Sequence, residues 1–376
     1  MNLKNRLKKI DIVLAVAWIL AVISAFFVHP SVKYVNYIDF RSLGILWGLM
    51  VIIQGLRYHN IFEKIAQYLL EKVSKQWQLV MVLVFMCFLG SMLITNDVAL
   101  ITFVPFSIMI LKSCNKEKIM IPVIVLQTIA ANLGSMLTPI GNPQNLYMYG
   151  LTKMNFVSFV KILLPYSVVS TVLIIIAIFV FTYDKEELDT SITDFEIGEN
   201  SSKYKIIMYS VLFLIAISSV LRMIPWYVFV VVVLLCVGFF ERKILFKADY
   251  ILLLTFVGFF IFTGNMGKLE IVRSLLESVL KSHEFAVGIV TSQFISNVPA
   301  TLMLSGFAKN YRQLLIGVNV GGLGTLIASM ASLISYKAYV KEYRQGGGEF
   351  IKIFTLFNVV FLIALVGVNA YFYGGL

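Results

Sequence analysis

Apolar runs separated by short polar ones recur from Ile12 to the C-terminus, and several reach membrane-spanning length. A helix needs roughly 17 to 25 residues to cross about 30 Å of hydrocarbon. The 376 residues are 59% hydrophobic and 14% charged, whereas soluble domains carry about 25% charged residues. A soluble globule has no interior able to hide so much apolar surface. The bilayer is therefore the solvent, and the expected fold is an all-α integral membrane protein.

Nine crossing helices are expected, at about Ile12 to Val28, Leu43 to Gly55, Ile119 to Tyr149, Phe156 to Tyr183, Tyr204 to Leu221, Trp226 to Phe240, Tyr250 to Gly264, Tyr311 to Tyr339 and Phe350 to Tyr373. Two further apolar stretches, Trp77 to Lys112 and His283 to Lys309, are interrupted by Thr95-Asn96-Asp97 and Ser296-Asn297-Val298-Pro299. Each limb is short for a crossing, so each stretch reads as a re-entrant hairpin that enters and leaves by one side. With the N-terminus inside, 21 of the 31 Lys and Arg residues fall on the cytoplasmic side, as the positive-inside rule requires. The expectation is a multi-pass protein of the inner or plasma membrane, with a cytoplasmic N-terminus and an external C-terminus. Lys4, Arg6, Lys8 and Lys9 flank the first crossing. The run after them is long and lacks a small-x-small cleavage site, so it reads as a helix and not as a signal peptide.

Several function classes fall away. The net charge of +11 is spread through short loops and forms no single basic face, so no nucleic-acid partner is expected. Cys87, Cys114 and Cys236 show no CxxC spacing, and His29, His59 and His283 lie far apart, so neither a disulfide framework nor a zinc site is expected. No GxxxxGK[ST], HExxH or GxSxG occurs, nor a deep pair of acids, which argues against ATP hydrolysis and against an enzyme. No cofactor is expected beyond Na+ or H+ as a coupling ion.

The chain repeats itself weakly, in one order. Leu69-Leu70-Glu71-x-Val73 recurs as Leu275-Leu276-Glu277-x-Val279, Ile94-Thr95-Asn96-x-x-Ala99 as Ile295-Ser296-Asn297-x-x-Ala300, and Asn132-x-Gly134-x-x-x-Thr138-x-Ile140 as Asn319-x-Gly321-x-x-x-Thr325-x-Ile327. The matching crossings are the second with the seventh and the third with the eighth. A displacement of five crossings, an odd number, inverts the second copy in the membrane. Residues 1–183 thus read as the first inverted repeat, with its hairpin at 77–112 and a broken helix at 119–149. Residues 184–203, opening on DKEELDTSITDFEIGE, form an acidic cytoplasmic linker. Residues 204–376 are the second repeat, with its hairpin at 283–309 and broken helix at 311–339.

Non-helical backbone at membrane depth is tolerated only where it is packed in protein or lines a cavity. The first tip offers Thr95, Asn96 and Asp97. Asp97 is the one acidic residue placed deep, and an intramembrane carboxylate is costly and usually functional, as a cation ligand or a proton carrier. The alternative is that these residues merely cap the return limb. The second tip, with Ser296 and Asn297, has amide and hydroxyl groups without a charge. The run from Asn132 to Asn145 holds Pro139, Pro143, Gly134 and Gly141, which break the helix, free carbonyls for a hard cation and aim half-helix amides at an anion. The eighth crossing carries Asn319, Gly321, Gly322, Gly324, Thr325, Ser329 and Ser332, where close helix packing by small residues is the competing explanation. Asn60 to Lys75 and Gly267 to Lys281 read as interfacial amphipathic helices. Trp18, Trp47, Trp77 and Trp226 read as packing or belt residues.

These residues resemble the ion transporter superfamily of citrate and dicarboxylate carriers, arsenite permeases and sodium/proton antiporters. The resemblance rests on the tips Thr95-Asn96-Asp97 and Ser296-Asn297-Val298 and on Thr138-Pro139-Ile140-Gly141-Asn142-Pro143-Gln144-Asn145. It implies a homodimer whose scaffold holds the contact while a transport domain, carrying both hairpins and both broken helices, moves as an elevator. Carboxylate carriers of this kind use Ser-Asn-Thr tips. Here Asp97 follows the first Asn and Val298-Pro299 the second; an acidic residue after the first Asn looks more like the arsenite-permease and antiporter branches.

The expected activity is secondary transport of a small carboxylate or inorganic oxyanion, coupled to sodium or protons. Thr95, Asn96, Asn142, Gln144, Asn145, Ser296, Asn297 and Thr325 are the expected substrate contacts. Asn96, Asp97, Thr138, Gly141, Asn297, Asn319, Gly321 and Thr325 are the expected cation or proton site. The alternatives are a sodium/proton antiporter in which Asp97 binds the two ions in turn, and an arsenite-permease-like efflux carrier.

Overall fold

The computed structural model describes residues 12–184 and 202–373. The N-terminal basic cluster and residues 185–201 of the acidic linker lie outside the described residues. The chain runs through α1 (Ile12–Phe27), α2 (Phe40–Tyr58), α3 (Ile61–Leu70), α4 (Gln76–Ile94), α5 (Asn96–Ser113), α6 (Met120–Ser135), α7 (Pro143–Thr152), α8 (Phe156–Thr182) and α9 (Lys203–Val220). It continues through α10 (Trp226–Leu245), α11 (Tyr250–Met266), α12 (Glu270–Leu280), α13 (Glu284–Ile295), α14 (Asn297–Ser305), α15 (Tyr311–Val320), α16 (Met330–Glu342) and α17 (Gly347–Tyr373). Among the described residues there is no strand, as expected of an all-α membrane protein.

Among the described residues, α2, α4, α5, α6 with the turn before it, α8, α9 and α17 are long and apolar enough to cross a membrane, seven helices, or eight if the bent pair α11 and α12 is taken as one span. The limbs of the first hairpin, α4 and α5, have 19 and 18 residues, longer than the sequence reading allowed for re-entrant limbs. Those of the second, α13 and α14, have 12 and 9. The third and eighth crossings are each split, into α6 with α7 and α15 with α16. The apolar part of α10 ends at Phe240, because Glu241 leaves the helical region (φ −150°, ψ 54°) before a last basic turn.

Helices α1 to α8 and α10 to α17, with α9 between them, form two series of eight along the chain. Asp39 caps α2 by accepting the Ser42 amide at 3.1 Å, and Asp249 caps α11 by accepting that of Leu252 at 3.0 Å. The packing exchanges in the same sense: α1 lies on α11 and α10 on α2, while α4 lies on α6 and α13 on α15. Two glycines make the last two contacts close. A Cβ on Gly134 would stand 2.1 Å from the Phe88 carbonyl and 2.7 Å from Ser91 Oγ, and one on Gly321 2.9 Å from Ser292 Oγ. Helix α3 and helix α12 are the amphipathic segments, and α12 leaves α11 at 104°. Trp226 presses on Gly44 and Trp77 stacks on Phe179 with ring centroids 5.9 Å apart, so these two indoles pack against other helices.

Candidate functional site

Both hairpins turn on one residue with a left-handed φ, Thr95 (φ 69°, ψ 147°) and Ser296 (φ 73°, ψ 153°). This region favours glycine, and a side chain held there costs of order 1–3 kcal/mol. The residues after the tips open α5 and α14, so their amides have no intrahelical acceptor. Asn96 N donates to Gly141 O at 3.1 Å and Asn297 N to Ala328 O at 3.0 Å. Each tip is thereby docked on the break of a split helix.

The breaks are built alike. Thr138 Oγ1 donates to Met92 O at 2.5 Å and accepts from Gly141 N at 3.0 Å. Thr325 Oγ1 donates to Gln293 O at 3.1 Å and accepts from Ala328 N at 3.2 Å. Pro143 opens α7, with Asn142 as its cap accepting Asn145 N at 2.9 Å.

Helix breaks free carbonyls, and here side-chain amides take them. Asn145 Nδ2 donates to the carbonyls of Ser135, Met136 and Thr138 at 3.3, 2.9 and 3.1 Å. Gln293 Nε2 donates to those of Ile289, Gly321 and Leu323 at 3.2, 2.9 and 2.9 Å. Carbonyls only accept, so the amide nitrogens must face them.

The breaks are also tied across the two series. Asn142 Nδ2 donates to Asn319 Oδ1 at 3.2 Å, and Asn319 Nδ2 to Asn145 Oδ1 at 2.7 Å. Ser329 Oγ donates to Asn132 Oδ1 at 3.0 Å, which also accepts Asn96 Nδ2 at 3.1 Å. Asn96, Asn132, Asn142, Asn145, Gln144, Asn297 and Asn319 are all buried. Three atoms stay unpaired: both amide atoms of Gln144 and Nδ2 of Asn132. Asp97 is half-buried beside this network, its backbone amide bonded to Asn96 Oδ1 at 3.0 Å. Asp249, the cap of α11, lies within its electrostatic reach. Among the described residues no three His, Cys, Asp or Glu side chains gather as a metal site.

Of the residues singled out in the sequence, Asn96, Thr138, Gly141, Asn142, Asn145, Asn319 and Gly321 belong to this network, Thr95 turns the first tip without a side-chain bond, and Asn297 is docked on the network's edge. Gln144 is buried among them without a bond. Thr325 is exposed and holds the second break to Gln293, and Ser296 Oγ makes only a 3.5 Å contact with Asn297 Oδ1. Gln293, Asn132 and Ser329 were not singled out as site residues. The signal for Gln293 was an amide inside an otherwise apolar limb, three residues before a tip; for Asn132 it was the repeat itself.

A family model described as citrate transporter matches residues 6–315. An uncharacterized transporter of Methanocaldococcus jannaschii is 30% identical over 332 residues, 88% of this chain and 89% of that one. An inner membrane protein of Escherichia coli is 29% identical over 80% of each chain. A silicon efflux transporter of Oryza sativa is 30% identical over 34% of this chain and 26% of its own length.

Proposed function

This chain belongs to the citrate transporter family, and we propose that it is a proton-coupled secondary transporter of a small carboxylate or inorganic oxyanion. The observation that carries the substrate class is the pair of buried, unpaired amide donors, Gln144 Nε2 and Asn132 Nδ2. A buried donor left unpaired costs about 1–3 kcal/mol. An anion bound at the start of α7 would take the Gln144 donor in the first turn of that half-helix, helped by its positive end. The network around it is uncharged apart from Asp97, so selection rests on hydrogen bonds and not on a fixed cation.

Coupling falls to Asp97. The carbonyls at the two breaks that would ligate sodium are occupied by Asn145 and Gln293, which favours a proton over sodium. The carboxylate carries the proton in with the anion, so that only the loaded or the empty site crosses. The two hairpins and two split helices then move together as an elevator against α1, α2, α10 and α11. The series α1 to α8 and α10 to α17 stand inverted in the membrane, the N-terminus cytoplasmic, and two copies pair through the scaffold helices.

The test is uptake of radiolabelled citrate, succinate, sulfate, phosphate and arsenite into proteoliposomes under an imposed pH or sodium gradient. One anion accumulating with the pH gradient and indifferent to sodium is the expected result; accumulation that requires sodium overturns proton coupling. The Asp97→Asn protein should still exchange anion but lose the pH dependence. Sodium/proton exchange is the second reading, favoured by Asp97 beside an Asn tip. Sodium-driven pH change without any anion would establish it in place of the first.

A further inference from the structure

We propose that the kinked end of α10 is a binding site for one anionic diacyl phospholipid. Beyond the break at Glu241 the helix turns Arg242 and Lys243 into a cavity of about 420 Å3, which Lys205 and Lys247 also line. Glu241 is the only carboxylate among the described residues that line it, and both its oxygens are engaged: Oε1 by Lys205 at 2.9 Å, Oε2 by His59 and by Tyr209 at 3.0 Å. It fixes the kink and leaves the cavity with surplus positive charge. Lys247 rests over the Tyr58 ring at 4.5 Å. Arg242 and Lys243 are exposed and make no ion pair or hydrogen bond among the described residues.

A second cavity of about 620 Å3 shares Phe239 and Phe240 with the first and is otherwise lined by Leu234, Leu235, Cys236 and Gly238. It lies along the apolar part of α10, where Leu235 and Phe239 are exposed. A Cβ on Gly238 would meet only Leu245, at 3.7 Å, so the glycine holds the groove open. A basic cavity that continues into an apolar groove, at the point where an apolar helix reaches its first charges, matches a phosphate headgroup with its acyl chains attached. Neither inorganic phosphate, which has no use for the groove, nor zwitterionic lipid, which has no net charge, fits both parts. Basic pockets between helices at the membrane boundary are a known means of holding anionic headgroups.

Native mass spectrometry of the full chain in detergent, titrated with phosphatidylglycerol, phosphatidylcholine or inorganic phosphate, tests the site. One phosphatidylglycerol should bind at least tenfold more tightly than phosphatidylcholine. The triple variant Arg242→Gln, Lys243→Gln, Lys247→Gln should lose about fivefold per cation. A control removing Lys64, Lys118 and Lys337 should stay within about twofold. Gly238→Leu fills the groove without changing charge and should also weaken the lipid, which keeps the test decisive if the triple variant is poorly folded. Equal binding of phosphatidylcholine, equal loss in the control, or inorganic phosphate displacing the lipid at matched concentration would each overturn the assignment.

Discussion

Asn142 and Asn319, 177 residues apart, meet side chain to side chain: the Asn142 amide donates to Asn319 Oδ1 at 3.2 Å. The first caps the second limb of one split helix, and the second sits in the last turn of the first limb of the other. Through Asn145, which accepts from Asn319 at 2.7 Å and holds three carbonyls of its own loop, the contact joins both breaks into one polar unit.

Removing either partner should therefore leave a buried amide oxygen without its donor, Asn319 Oδ1 when Asn142 is lost and Asn145 Oδ1 when Asn319 is lost. Asn319→Ala takes an acceptor from Asn142 Nδ2 and the donor from Asn145 Oδ1, and should destabilise the purified protein by about 1–3 kcal/mol. Thermal denaturation in detergent of the two single variants and of the double variant Asn142→Ala, Asn319→Ala should show coupling of about 0.5–2 kcal/mol. Strict additivity would mean that the contact holds nothing together.

The places where the helices break were legible because they are chemically loud. Pro139, Pro143 and the glycines near them cannot continue a helix, and Asn or Ser between apolar runs has few other uses at depth. What stayed hidden was the direction of each amide. Asn145 looks like a ligand donor in the sequence, but the fold turns it, and Gln293 in the other break, onto backbone carbonyls whose location depends on α4 and α13 packing. The kink at Glu241 was equally invisible, since its cause is a set of partners, His59, Lys205 and Tyr209, drawn from other helices. Hairpin limb lengths were misjudged because α4 carries apolar residues nearly to the tip, and apolarity alone does not mark where a limb starts.

Thr95 sits at φ 69° with no hydrogen bond from its side chain. A β-branched residue there is strained, and glycine adopts the same backbone freely at an entropic cost of roughly 0.5–1 kcal/mol. Thr95→Gly should thus raise stability by up to about 1 kcal/mol, seen as a higher melting temperature. Thr95→Val keeps the strain and should not. A fall in melting temperature with glycine would show that the hydroxyl matters more than the backbone.

Gly134→Ala should be severe, because the new Cβ would lie 2.1 Å from the Phe88 backbone carbonyl. Backbone cannot swing aside as a flexible side chain can, so α4 must move off α6. A loss of about 3 kcal/mol or more is expected, in the range of overpacked cores and beyond. Gly367→Ala in α17 meets nothing within 4 Å and should be neutral or slightly stabilising. Guanidine-free thermal melts of both variants in the same detergent make the comparison.

Glu241 ties stability to pH, and the sign follows from its surroundings. Burial pushes its carboxyl upward, but hydrogen bonds from Lys205, His59 and Tyr209 outweigh that and hold it below its ordinary value of 4.5. A carboxyl depressed in the folded state adds stability that is fully present above the unfolded value and is lost as pH falls through the folded one. The wild-type protein should therefore lose melting temperature below about pH 4.5, more steeply than Glu241→Gln. The variant should start lower at pH 7, since it leaves Lys205 without its carboxylate, and the two curves should converge in acid. Parallel curves across that range would mean that the carboxylate does not hold the kink. The same series with phosphatidylglycerol added should show the lipid protecting wild type most at neutral pH, where the kink that shapes its headgroup cavity is intact.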